Sequence, residues 1–131
     1  MSPVVKLVLY AIAPPIVAAA TYPFWIISET RVIVSIFTML LAFVVTPVYL
    51  LYMIRRFSST NEVSLLFSIP MCFFANVLFV LAHYLNWGNS TGLLKTPDSS
   101  TILIVKLELF VSIAILIIGS FIISILRLRT K

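Results

Sequence analysis

Four long apolar runs, separated by short polar punctuation, occupy nearly all of the chain, at about 7–28, 32–54, 63–85 and 102–126. Each is close to the ~20 residues that an α-helix needs to cross a hydrocarbon core about 30 Å thick. A backbone in that medium must satisfy its own hydrogen bonds, and a helix does so within one segment. The expected fold is therefore all-α, a four-helix transmembrane bundle, with 1–131 as a single integral membrane domain. Composition removes the soluble alternative. Hydrophobic residues make up 62% and charged residues 10% of the chain, against roughly 45–50% and 25% in soluble domains.

The net charge of +5 is unevenly placed along the chain. With the N-terminus in the cytoplasm, the inner segments hold Lys6, Arg55, Arg56, Arg127, Arg129 and Lys131, with Glu62 as the only acid. The outer segments balance Arg31, Lys95 and Lys106 against Glu29, Asp98 and Glu108. That asymmetry is what the positive-inside rule expects of a four-span protein with both termini cytoplasmic. The basic residues thus orient the chain, and no basic stripe with reading elements for nucleic acid is present. Short loops and tails fit a bacterial cell (inner) membrane. Lys6, the apolar stretch after it and Ala18–Ala20 resemble a cleavable signal segment. The run continues through Phe24, Trp25 and Ile27, however, so it reads as a span.

The first span carries Pro14 and Pro15, which remove two amide donors and predict a kink or break near Ala13. Tyr22, Phe24 and Trp25, with Tyr84 and Trp87, read as an outer interfacial belt; Tyr49 and Tyr52 read as an inner one. The second span places Ser35, Thr38, Ala42 and Thr46 in steps of three and four. The fourth repeats the device with Ser112, Gly119, Ser120 and Ser124. Such faces let helix backbones approach closely. Ser59 and Glu62 have capping-box spacing ahead of the third helix. The stretch 86–101, rich in turn formers, is the one long loop; Asp98, Ser99, Ser100 or Thr101 would cap the fourth helix.

The third span holds the most suggestive constellation. Ser64, Ser68, Cys72, Asn76, His83 and Asn86 fall on one helical face, with Phe73, Val77, Val80, Leu81 and Tyr84 on the lipid side. Polar groups in a membrane turn inward, toward other helices or a wet cavity. This face is read either as interhelical glue or as a polar path through Ser68, Cys72, Asn76 and His83 with Glu108 at its mouth. Glu108 lies near the start of the fourth run, where Leu109 to Leu126 alone span about 27 Å, so interface anchoring is the expectation for it and Lys106. A metal site would need His83, Glu29 and Glu108 to converge.

The single Cys72 and single His83 exclude internal disulfides, dithiol chemistry and bis-histidine haem ligation. No nucleophile elbow, phosphate-cradling loop, dinucleotide glycine motif or zinc-protease helix motif occurs. No cofactor and no enzymatic activity are expected. Size and span count match those of small multidrug transporters, fluoride channels, holin-like proteins and bacteriocin immunity proteins, without a motif of any of them. The preferred reading is a non-enzymatic accessory, regulatory or immunity-type membrane protein acting through helix–helix contacts, with a homo-oligomer or a larger membrane protein as partner. The alternative is a small transporter or channel with its path along the third helix.

Overall fold

The computed structural model describes residues 2–59, 64–91 and 99–129. These are helical almost throughout: α1 (Pro3–Ala20), α2 (Tyr22–Ile26), α3 (Ser28–Leu40), a π-helical turn (Leu41–Val45), α4 (Thr46–Ser59), α5 (Leu65–Thr91) and α6 (Ser99–Arg129). Four stretches are long and apolar enough to cross a membrane: Pro3–Trp25, Val32–Ser58, Leu65–Asn86 and Ile102–Leu126. The chain is a four-helix, integral membrane protein.

Each irregularity in the helices has a local cause. Ser2 caps α1 by accepting the amide of Val5 at 3.3 Å. Pro14 and Pro15 lie inside α1, which stays helical through them, so the pair withdraws two amides within a continuous helix. The interruption falls lower, at Thr21, because Pro23 has no amide for the Ala19 carbonyl four residues back. A single extended residue, Ile27, then turns the chain into α3. In the second span the Thr46 amide reaches Leu41, five residues back, and Pro47 follows without an amide. The ladder therefore widens by one residue just before the proline that would break it.

Two carbonyls of α1 take side-chain partners. Loss of the Pro14 amide strands the Tyr10 carbonyl, and the Tyr49 hydroxyl donates to it at 2.8 Å. The Ala18 carbonyl, near the end of α1, accepts from the Thr21 hydroxyl at 2.6 Å and from Asn86 Nδ2 at 2.7 Å. Tyr49, expected from the sequence as an interfacial aromatic, thus also straps α4 to α1. Tyr52 remains exposed.

Helix α1 packs along α5, α6 lies against α4 and the π turn, and α5 meets both α4 and α6. Two apolar clusters fill the centre. One, toward the end where α1 begins and α6 finishes, is built on Leu7, Ala11, Leu50, Ile54, Phe57, Cys72 and Leu116. The other, toward the opposite or distal end, is built on Ala18, Ala42, Phe79 and Val80. Val80, assigned from the sequence to the lipid side, is buried, because the contact face of α5 is wide enough to meet both α1 and α6. Beside the proline pair, Ala13, Pro14, Val17, Leu41, Val45, Thr46, Tyr49 and Phe79 line an apolar cavity of about 260 Å³.

The small-residue faces are used inside the chain. Thr38, Ala42 and Thr46 are buried and Ser35 half-buried on the second span; Ser112 and Ser120 are buried, with Gly119 and Ser124 half-buried, on α6. A Cβ added at Gly119 would run into the side chain of Leu51 on α4. Helix α5 continues to Thr91, past the expected loop start at residue 86, and α6 opens at Ser99. The Ser59–Glu62 cap, Lys95 and Asp98 lie outside the described residues and side chains.

A buried polar seam between the third and fourth spans

The buried positions of α5 run Ser68, Cys72, Ala75, Asn76, Phe79, Val80, His83 and Asn86. Steps of three and four keep them on one face of the helix. All five residues of the path read from the sequence, Ser68, Cys72, Asn76, His83 and Glu108, are therefore in the interior. Ser64 alone of the expected polar face is exposed.

Direct side-chain bonds join α5 to α6. Asn76 Nδ2 donates to Ser112 Oγ at 2.8 Å, and Ser112 in turn donates to the Leu109 carbonyl at 3.0 Å. A hydroxyl has one proton, so Ser112 must accept from Asn76. In this arrangement Nδ2 is the atom of the amide that meets Ser112, and Oδ1 makes no bond to it. Oδ1 is buried with no hydrogen-bond partner in the protein.

The second bond is between ionisable groups. His83 Nδ1 lies 2.9 Å from Glu108 Oε2, and both side chains have no exposed surface. Glu108 is thus not the interface anchor expected from its place near the start of the fourth apolar run. Helix α6 begins at Ser99, so Glu108 has two full turns of helix on its outer side. Lys106, two residues away, is exposed, as snorkelling requires. Oε1, the other Glu108 oxygen, is buried without a hydrogen-bond partner.

The distal end around this pair is tied to the first span. Trp25 donates to the Thr21 hydroxyl at 3.2 Å, and its ring lies 5.6 Å from the His83 ring, centroid to centroid. Trp25 is fully buried, so it is not part of the outer aromatic belt expected from the sequence; Tyr22 and Phe24 beside it are exposed. Asn86 completes the set through Ala18. An unbroken run thus links α1, α2, α5 and α6: Asn86 to the Ala18 carbonyl, Thr21, Trp25, His83, Glu108.

Deeper along the seam, the register that sets Asn76 opposite Ser112 places Ser68 opposite Ser120, each eight residues further on in antiparallel helices. Ser68 bonds the Ser64 carbonyl at 2.9 Å, while Ser120 Oγ is buried with no partner. Between these rungs lie Cys72 and Leu116, both fully buried in one apolar cluster. The seam is polar at three levels and apolar between the lower two.

Compared with protein-family models, with curated proteins and with solved structures, this chain matches none. Its chemistry must be read from the site itself. The set His83, Glu29 and Glu108 is not brought together, since Glu29 is exposed on α3. Among the described residues no group of three or more His, Cys, Asp or Glu could hold a metal ion. What the seam offers is one carboxylate braced by an imidazole, with amide and hydroxyl oxygens a turn away. The Trp25 and Ala18 parts of the network were not legible in the sequence.

Proposed function

We propose that this is a small, non-enzymatic ion-handling membrane protein of the carrier or channel class, with the α5–α6 seam as its working element. One observation carries the reading: a glutamate with no exposed surface sits inside the fourth span, bonded to a buried histidine of the third. Ionisable side chains are costly in a bilayer and mark ion or proton pathways more often than structural glue. Cohesion alone would need only the Asn76–Ser112 kind of bond. Cys72 and Leu116 close the seam in this conformation, so conduction requires α5 and α6 to part at that level.

The accessory, regulatory or immunity-type reading, through helix contacts with a second copy or a larger partner, keeps one supporting observation. Large apolar side chains such as Leu66, Phe110, Ile33 and Phe121 stand well exposed on the outside of the bundle. Against it, the small-residue faces best suited to such contacts are occupied within the chain. Both termini on the cytoplasmic side of a bacterial inner membrane agrees with where the basic residues fall.

The test is flux in vesicles reconstituted with the purified protein under separate proton, sodium, potassium and chloride gradients. Flux above that of protein-free vesicles is expected for at least one cation and should be abolished by Glu108→Gln. Flux no greater than in empty vesicles under all four gradients would overturn the reading. Under flux conditions Cys72 should also react with a water-soluble thiol reagent; an inert Cys72 in a conducting preparation would place the path elsewhere.

A further inference from the structure

Two acceptor oxygens on facing helices, Glu108 Oε1 and Asn76 Oδ1, are buried without a hydrogen-bond partner among the described residues. Buried acceptors are nearly always met by a donor or an ion. Each group is anchored by a neighbour. Glu108 is held through Oε2 by His83, and the Asn76 amide is turned by the single proton of Ser112. Glu108 and Ser112 are one turn apart on α6, about 6 Å of rise, and Asn76 is bonded to Ser112. The two oxygens therefore belong to neighbouring rungs of the seam, about one helical turn apart.

We infer that this stretch is a binding site for a small monovalent cation, held between Glu108 Oε1 and Asn76 Oδ1. The inference deepens the ion-handling proposal and rests on it for the purpose of the bound cation, though not for its binding. Carboxylate and amide oxygens are hard ligands, suited to alkali and alkaline-earth cations rather than to thiolate- or imidazole-seeking metals. Charge selects within that class. One carboxylate balances one positive charge, and a divalent ion would leave an uncompensated charge in an apolar interior. His83 braces the carboxylate from its far oxygen, as the outer hydrogen-bond partners of metal-binding carboxylates do. Trp25, its ring tilted at 41° to that of His83, and Leu109, packed against the distal apolar cluster, supply the apolar surround.

The experiment measures thermal unfolding of the detergent-solubilised protein in lithium, sodium, potassium or choline chloride at equal ionic strength, with magnesium chloride as a further arm. Sodium-23 line broadening in wild-type protein, and its displacement by lithium, gives a second readout that needs no variant. A saturable rise in Tm of roughly 3–6 °C with one alkali cation over choline is expected, by ligand linkage. It should be lost in Asn76→Ala and Glu108→Gln and retained in Ser120→Ala, whose hydroxyl lies further down the seam. Equal Tm in all salts with no line broadening overturns the site, as does a rise that persists in both variants. A preference for magnesium overturns the charge argument. Where either variant fails to fold, the wild-type salt series and the sodium signal decide. Saturable binding without vesicle flux would remove the ion-handling proposal and leave the site; flux that survives Asn76→Ala in a protein showing no binding would do the reverse.

Discussion

Glu108 and His83 are each tolerable in the bilayer interior because of the other. Removing one partner of a buried hydrogen-bonded pair strands the other, at a cost of about 1–3 kcal/mol and more for a charged group, whereas replacing both with apolar residues is often near neutral. The two single variants should not be equal. His83→Leu leaves a carboxylate with neither oxygen bonded, while Glu108→Gln keeps an acceptor for the imidazole. His83→Leu should therefore lower stability by about 3 kcal/mol and Glu108→Gln by about 1 kcal/mol. The double variant His83→Leu/Glu108→Leu should recover most of the loss. Reversible unfolding in mixed detergent micelles measures all three, and a double variant as unstable as His83→Leu would refute the pairing argument.

Among the elements, α1 shows most clearly how a local defect is repaired at a distance. Pro14 frees the Tyr10 carbonyl, and Tyr49, on α4, bonds it. The two residues should be energetically coupled although they make no bond to each other. Tyr49→Phe should cost about 0.5–1.5 kcal/mol in the natural sequence, the usual net value of such a bond. In a Pro14→Ala background it should cost less, because an alanine amide at that position bonds Tyr10 within the helix. A double-mutant cycle in the same unfolding assay reads the coupling, and additive single effects would count against it. The proline pair was visible in the sequence, and so was the need for an outside donor. Which residue supplies it was not, since Tyr49 is 39 positions away and sits at a spacing that equally suits an interfacial anchor.

At the scale of the whole molecule, the bundle closes through α6 against the second span. The contact at Gly119 is close enough that a side chain there meets Leu51. Gly119→Leu should loosen the packing of α6 on α4 and lower the stability by about 1–3 kcal/mol, as at an overpacked site. Leu51→Ala made in the same chain should restore part of it by opening room for the new side chain. If Gly119→Leu leaves stability unchanged while altering association with other proteins, the face belongs to an external contact instead.

Read alone, the sequence determined the solvent, the number of crossings, the inward face of α5 and the close-packing faces of the second and fourth spans. These follow from the partition of each side chain between lipid and protein, which depends on its own chemistry and on helical periodicity. The depth of Glu108, its meeting with His83, the inward turn of Trp25 and the strap from Tyr49 to α1 were decided only in the tertiary structure. Helices of 27 and 31 residues exceed what a crossing needs, so length leaves their vertical register open. That register, and the rotation of each helix about its axis, are set by contacts between segments far apart in the chain, which leave no local mark in either one.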